Sequence, residues 1–184
     1  KEVRSQISFY YSTNFHEFIC SQYKEFNQVP EIIRFFEACL KIQKPYEHLF
    51  KDAAAELKLE IFSSNYDHPP ILFKVIKYLP SYIATRPHYD GTVFSLFLDS
   101  TDNQSLLLSP YKSSYTVDDF SSLWEGKNSI LLIPGALLTE FSIYPTPHIV
   151  AKSGKTRYAT IAFAMRPNFV PQKCELAPLP NFID

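Results

Sequence analysis

Two histidines and an aspartate have the types and the spacing of a metal site. His88 and Asp90 are separated by one residue in the segment 86–91, RPHYDG, at the entrance to a run of β-forming residues. Residues i and i+2 of an extended backbone point to the same face, so this pair offers an imidazole and a carboxylate to one ion. His148, at the start of another predicted strand, is the candidate third ligand. Two histidines and one carboxylate hold Fe(II) on one face and leave positions open for O2 and a substrate, so this set predicts an iron site.

The same residues have an ordinary alternative. His and Asp are common near strand ends, where a lone His-x-Asp forms a solvated turn or a local hydrogen-bonding pair. The remaining histidines do not indicate a second site, since His16 and His48 lie in polar or helical surroundings and His68 lies in a polar linker. The chain that follows His148 is therefore needed to favour one interpretation.

The segment after His148 places a cation at the end of an apolar strand. Residues 152–156, KSGKT, predict a hairpin turn into residues 157–165, RYATIAFAM. Arg157 shares one face of this strand with Ala159, Ile161, Phe163 and Met165. If that face points inward, the charge needs an anionic partner, and the guanidinium fork fits a carboxylate in bidentate geometry. Periodicity alone is equally compatible with an ordinary cation at the rim.

Short β segments must position these residues. Beyond a polar cluster at 63–70, runs rich in branched and aromatic residues alternate with Pro, Gly, Asn, Asp and Ser. We predict strands near 71–79, 92–98, 105–109, 129–133, 136–142, 147–152 and 157–165. Many closely spaced strands without βαβ units indicate an antiparallel barrel or jelly roll with helices packed outside.

Two helices are predicted before the strands. The first begins at Pro30 and the second runs from Pro45 to about Leu59. The first has apolar residues at the 3.6-residue period, namely Ile32, Phe35, Phe36, Cys39 and Leu40. We expect these helices to buttress the barrel instead of forming a second domain.

The composition excludes several other classes of protein. A chain of 184 residues with 46% hydrophobic and 20% charged residues is typical of one folded domain and not of a disordered chain. The four glycines, Gly91, Gly126, Gly135 and Gly154, are too scattered for a dinucleotide fingerprint or a phosphate-binding loop. A net charge of −1 provides no global attraction for nucleic acid or anionic lipid, so we expect neither partner.

Cysteine usage and hydropathy bear on location. Cys20, Cys39 and Cys174 fit neither a disulfide framework nor a CxxC metal site, which predicts a reducing, cytoplasmic compartment. No apolar run approaches the roughly 20 residues that span a bilayer, and the N-terminal stretch lacks the apolar core of a signal peptide. We therefore expect no membrane insertion and no export.

The order of the motifs in residues 71–168 resembles that of the Fe(II)- and 2-oxoglutarate-dependent oxygenases. The resemblance is strongest to the branch that is similar to isopenicillin N synthase. Its elements are Tyr78-Leu79-Pro80, residues 88–97 (HYDGTVFSLF), residues 130–135 (ILLIPG), His148 and Arg157, in that order.

This resemblance implies a fold, a set of cofactors and an activity. The fold is mainly β with N-terminal helices, a double-stranded β-helix (jelly roll, cupin-like barrel). His88, Asp90 and His148 are the implied catalytic Fe(II) ligands, and Arg157 the implied partner of the distal carboxylate of the cosubstrate 2-oxoglutarate. The implied enzyme uses O2 to hydroxylate or oxidise a small organic substrate. Its single oxygenase-like domain, 1–184, would comprise a helical buttress (1–62), a jelly-roll core (71–168) and a C-terminal tail (169–184).

The sequence departs from the family pattern near the cosubstrate. Ala159 replaces the serine that normally assists the arginine, and Leu79 stands where relatives often have a cosubstrate-binding tyrosine. Tyr78 would face the other way on a regular strand. Isopenicillin N synthase has this scaffold without using 2-oxoglutarate, so an iron oxidase of that kind stays open, as does a non-catalytic jelly-roll binding protein. A zinc hydrolase is disfavoured because Tyr89 is expected to point away from the metal and no other general base stands beside the ligands.

Overall fold

A five-stranded antiparallel sheet forms the middle layer of the protein. The computed structural model describes residues 6–62, 71–80, 87–100, 105–122, 129–152, 154–165 and 181–182. With strands numbered in chain order, the sheet runs β1 (Gln6–Tyr11), β2 (Ile71–Tyr78), β8 (Arg157–Ala164), β3 (Phe94–Ser100) and β6 (Leu131–Pro134). Every neighbouring pair in it is antiparallel. The chain neighbours β2 and β3 are thus separated by β8.

Two short strand pairs complete the β structure of the described residues. β4 (Leu106–Leu108) pairs antiparallel with β7 (His148–Val150), and β5 (Ser114–Tyr115) pairs parallel with β9 (Asn181–Phe182). The linker around His68 and most of the tail 169–184, including Cys174, lie outside the described residues.

The helices differ from the sequence prediction. α1 (Thr13–Gln22) is capped by the Ser12 hydroxyl, which accepts a hydrogen bond from the Phe15 N–H. α2 (Pro30–Glu56) continues through Pro45, so the predicted division into two helices is wrong. A proline inside a helix costs about 3 kcal/mol, but Phe36 before it and Phe50 after it are buried in the same apolar cluster. Burial of the apolar face of α2 on both sides of Pro45 therefore outweighs the cost of a proline inside the helix.

β1 was not predicted from the sequence. It precedes α1 and pairs with β2 along its whole length, so the first 62 residues supply an edge strand as well as helices. Among the described residues, neither long helix has the length and apolar character needed to cross a membrane.

The central sheet has buried residues on both faces, although only Tyr11 is buried in its edge strand β1. On one face Phe73, Phe94 and Leu96 pack with Phe36 and Phe50 of α2. On the other face the alternate strand positions pack with residues of β4 and β7 in a second cluster, which contains Ile76, Phe97, Leu106, Leu108, Ile133, Val150, Ile161 and Phe163. Alternation along each strand thus separates a helix-facing core from a core between the two sheets. Phe94 and Leu96 of β3 thus fill the helix-facing core.

The predicted strand at 136–142 is wrong, since residues Ala136–Phe141 form a 3₁₀ helix. Its first N–H groups bind the loop before β3: Ala136 donates to the Asp90 carbonyl (2.8 Å) and Leu137 donates to the Thr92 carbonyl (3.1 Å). The apolar run pairs with a loop instead of a strand, so its composition alone was misleading. Phe141, the last residue of this helix, is 40% exposed.

Candidate metal centre

Two backbone hydrogen bonds join the candidate histidines. The N–H of His88 donates to the carbonyl of His148 (3.1 Å), and the N–H of His148 donates to the carbonyl of His88 (2.7 Å). His148 begins β7, so this bridge fastens the loop that carries His88 to a strand. The two imidazole centroids are 4.4 Å apart. The fold thus brings together two residues that are far apart in the sequence.

Asp90 completes the group. One ligand atom from each of His88, Asp90 and His148 lies within 4.8 Å of the other two. His148 Nε2 lies 3.8 Å from Asp90 Oδ2. Metal–ligand distances of about 2.0–2.2 Å let one ion bridge two atoms with this separation. The spacing is therefore compatible with a shared ion.

The tautomer of His148 follows from its hydrogen bond. Its Nδ1 lies 3.1 Å from the carbonyl oxygen of Thr146. A carbonyl only accepts, so Nδ1 carries a proton, and Nε2, which lies towards Asp90, is the ring nitrogen left for a metal. The side chain is 3% exposed, and the Phe97 ring meets it edge to face at 5.7 Å. His148 is thus held in the form that a metal ligand requires.

The donor set fits iron. Two imidazole nitrogens and one carboxylate oxygen gathered on one side match the two-histidine, one-carboxylate arrangement of non-haem Fe(II) sites. Further ligands at the remaining positions would come from outside this group. Tyr89 is buried against Ala136 and Tyr111.

Arg157 lies on the face of the central sheet that looks towards β4 and β7. It shares this face of β8 with Ile161 and Phe163 of the inter-sheet core. Arg157 is 5% exposed, and its Nη2 donates to the carbonyl of Ala151 at 3.2 Å. The sequence left open an inward-facing residue and a cation at the rim, and the burial shows that Arg157 faces inward.

Tyr78 occupies the position opposite Arg157. The β2–β8 register pairs the two residues, and the guanidinium carbon lies 4.6 Å from the centroid of the Tyr78 ring. The expectation that Tyr78 faces away is therefore wrong. Burial raises the pKa of Tyr78, the Arg157 cation opposes this shift and the Asp90 charge adds to it. Tyr78 thus lies close enough to Asp90 and Arg157 for both charges to affect its pKa.

Two hydroxyls near Asp90 were also missed. Ser95 Oγ donates to Asp90 Oδ2 at 2.6 Å, and Thr92 Oγ1 lies 3.1 Å from Ser95 Oγ. Ser95 alternates with Phe94 and Leu96, so strand parity alone would have placed it on the face opposite the helix-facing core. The sequence has no comparable pattern for Thr92, because this residue precedes β3 and the alternation of the strand does not apply to it.

Comparisons with known proteins bear on the fold. No protein-family model matches the sequence, and no curated protein matches it. Among solved structures, a dioxygenase for auxin oxidation in rice matches 91% of this chain and 59% of its own, with a TM-score of 0.65 and 14% identity. AtDAO1 from Arabidopsis thaliana, a dioxygenase for auxin oxidation solved with 2-oxoglutarate, matches 88% of this chain and 62% of its own, with a TM-score of 0.59 and 17% identity. The chain shares its fold with 2-oxoglutarate-dependent iron oxygenases.

A third structure extends this likeness. JOX2, solved in complex with 2OG, Fe and JA, matches 92% of this chain and 52% of its own, with a TM-score of 0.56 and 16% identity. The chain therefore spans between about half and two thirds of the length of these three structures. At such identities the likeness concerns the oxygenase fold, and the chemistry has to be argued from the residues of the site.

Proposed function

We propose that this protein is a non-haem Fe(II)- and 2-oxoglutarate-dependent oxygenase that hydroxylates or oxidises a small organic substrate. One observation carries the proposal: the His88, Asp90 and His148 ligand atoms cluster within 4.8 Å of one another, and a buried arginine stands on the inner face of the adjoining sheet. The shared fold supports the same assignment, since two of the similar structures hold 2-oxoglutarate and one of them also holds iron.

Each residue has a role in this proposal. His88, Asp90 and His148 would hold the iron, with Nδ1 of His148 fixed by Thr146 so that Nε2 is the ligand atom. When bound, iron and 2-oxoglutarate together couple the reduction of O2 to oxidation of the substrate and to conversion of 2-oxoglutarate into succinate and CO2. The chain contributes the positions of the ligands, the anchor for the cosubstrate and the exclusion of water.

Arg157 would anchor the distal carboxylate of 2-oxoglutarate. A guanidinium that is 5% exposed interacts more strongly with a carboxylate than a solvated one does. The guanidinium carbon lies over the Tyr78 ring and Nη2 donates to the Ala151 carbonyl, so two contacts hold the cation in place. Ala159 contributes no hydroxyl here, so the proposal assigns the anchoring to Arg157.

The core between the sheets would keep the site dry. Phe97, Leu108, Ile161 and Phe163 are buried there, and the Phe97 ring contacts His148. Exclusion of water limits side reactions of a reactive site. We propose that the two facing sheets are those of a double-stranded β-helix, the jelly-roll core of one domain with a buttress over 1–62, a core over 71–168 and a tail over 169–184.

We also propose a cytoplasmic location. Cys20 and Cys39 are free thiols in α1 and α2. Free cysteines are typical of reducing compartments.

An anaerobic titration tests the proposed function. The apoprotein is loaded with Fe(II) and then titrated with 2-oxoglutarate, while the visible charge-transfer absorption of the bidentate chelate is recorded. We expect Fe(II) to bind and the band to appear. Arg157→Met should weaken 2-oxoglutarate binding without abolishing iron binding. For alanine substitutions of the metal ligands the control is His48→Ala, at an exposed histidine of α2, which should bind iron like the wild type.

Two outcomes would contradict the proposal. If a variant with alanine at His88, Asp90 and His148 binds Fe(II) as tightly as the wild type, these residues are not the ligands. If iron binds and no band forms, the cosubstrate assignment is wrong, and oxygen uptake triggered by substrate alone becomes the measurement for an oxidase. A screen of substrates by release of succinate is carried out only if the charge-transfer band forms.

A further inference from the structure

A chain of buried hydroxyls leads to the carboxylate of Asp90. Ser95 Oγ donates to Asp90 Oδ2 at 2.6 Å, and this uses the single proton of the serine hydroxyl. The neighbouring Thr92 Oγ1, at 3.1 Å, must then be the donor to Ser95 Oγ. The hydrogen bonds therefore run in one direction, from Thr92 to Ser95 to Asp90.

The surroundings fix this chain in place. Ser95 is fully buried and Thr92 is 6% exposed, so water does not compete for their hydrogen bonds. The loop is tied to residues 135–137 by three backbone bonds: Gly135 N–H to Val93 O (2.9 Å), Ala136 N–H to Asp90 O (2.8 Å) and Leu137 N–H to Thr92 O (3.1 Å). A Cβ at residue 135 would overlap the carbonyl oxygen and Oγ1 of Thr92. Glycine at this position leaves the room that the Thr92 hydroxyl occupies.

The same carboxylate oxygen faces the metal site. Asp90 Oδ2 accepts from Ser95 and is also the atom that lies 3.8 Å from His148 Nε2. A hydrogen bond to this oxygen restricts rotation of the carboxylate and withdraws part of its charge. Partners of this kind commonly change metal affinity by about 10–100-fold when they are removed.

We propose that Thr92 and Ser95 are positioning residues that orient Asp90 for metal binding and tune its strength as a ligand. The proposal rests on the proposed function in that it takes Asp90 to be a metal ligand. It adds two residues that act through the carboxylate without touching the ion. Ser95 acts directly and Thr92 acts only through Ser95.

Metal titrations of five forms of the protein test this order. Anaerobic calorimetry with Fe(II), and with Co(II) as a spectroscopic probe, is carried out on the wild type, Ser95→Ala, Thr92→Val, Thr92→Ser and the double variant Ser95→Ala/Thr92→Val. Valine is β-branched like threonine and has a methyl group in place of the hydroxyl, so Thr92→Val removes the hydrogen bond to Ser95. We expect Ser95→Ala to weaken metal binding about 10–100-fold and to alter the Co(II) absorption spectrum. Thr92→Val should have a smaller effect. Thr92→Ser keeps the hydroxyl and should bind metal as tightly as the wild type.

The double variant separates a relay from independent packing effects. If Thr92 acts through Ser95, the double variant binds metal as weakly as Ser95→Ala alone, whereas additive losses would overturn the relay. Unchanged affinity and an unchanged Co(II) spectrum in Ser95→Ala would overturn the whole proposal while leaving the proposed function intact. A wild type that binds neither metal would overturn both. Thermal unfolding of the apoproteins distinguishes a general loss of stability from a change confined to the metal ligand.

Discussion

The ring of Tyr78 lies directly against the guanidinium of Arg157, with the guanidinium carbon 4.6 Å from the ring centroid. The contact follows from the strand register, which pairs Tyr78 of β2 with Arg157 of β8. It connects the strand that precedes the candidate metal ligands with the strand that follows them. A flat aromatic surface on one side of a buried cation orients the donor edges of that cation.

Removal of this ring should weaken cosubstrate binding. A desolvated cation–π contact contributes about 1–2 kcal/mol, so we expect Tyr78→Leu to raise the Kd of 2-oxoglutarate by roughly 5–30-fold. Tyr78→Phe retains the ring and should have a much smaller effect. The measurement is the titration of Fe(II)-loaded protein under argon. Tyr158→Leu, at the neighbouring residue on the opposite face of β8, is the control, and equal values for Tyr78→Leu and the wild type would contradict the orienting role.

Gly135 should be intolerant of even one methyl group. Its missing side chain leaves space that the carbonyl oxygen and hydroxyl of Thr92 fill. We expect Gly135→Ala to lower the free energy of unfolding by about 1–3 kcal/mol, as overpacking commonly does, and to weaken metal binding because the loop that carries Asp90 shifts. Urea unfolding and metal calorimetry measure the two effects. Gly154→Ala is the matched control because a Cβ there meets open space, and identical unfolding midpoints for both variants would refute the prediction.

The sequence predicted much of the candidate site because its residues obey local rules. The His-x-Asp spacing and the alternation after Arg157 depend only on the two-residue period of extended chain. The structure gathers His88, Asp90 and His148, and it buries Arg157. The encounter of His88 with His148 depends on a backbone bridge between distant segments, so the sequence could name His148 as a candidate ligand but not show this contact.

The errors occurred where tertiary packing outweighs local preference. Pro45 marks a helix boundary in sequence terms, but burial of Phe36 and Phe50 on both sides keeps α2 continuous. The orientation of Tyr78 required the register of β2 against β8, which no local pattern specifies. The run Ala136–Phe141 has the composition of a strand, but its N–H groups are used by the loop before β3.

The end of α2 offers a stabilising substitution. Lys58 has a φ of 56°, in the left-handed region, and its N–H donates to the Ala55 carbonyl (2.9 Å) while the Leu59 N–H donates to the Ala54 carbonyl (2.8 Å). This pattern is a Schellman motif, in which glycine is the preferred residue at the left-handed position. We expect Lys58→Gly to raise the free energy of unfolding by about 1 kcal/mol, measured by urea unfolding. Lys58→Ala keeps the unfavourable Cβ and should give no gain; a gain as large as that of glycine would show that φ is not the cause.

Alkaline pH should destabilise the protein through Tyr11. Burial raises the pKa of Tyr11 from 10.0 to about 12. Below the unfolded value both states bind the phenolic proton, whereas between the two values the unfolded state releases it and the folded state retains it, so stability falls as pH rises through this window. We expect Tyr11→Phe to reduce the difference between the free energies of unfolding measured near pH 8 and near pH 11, values that bracket the unperturbed tyrosine pKa of about 10. Tyr144→Phe, at an exposed ring, is the matched control.

Tyr11→Phe also has an effect that does not depend on the tyrosine pKa. Tyr11 Oη lies 3.3 Å from His16 Nδ1, so the substitution lowers the free energy of unfolding at neutral pH as well, and only the pH-dependent part of the change tests the prediction. A difference as large as that of the wild type would place the alkaline sensitivity elsewhere in the protein.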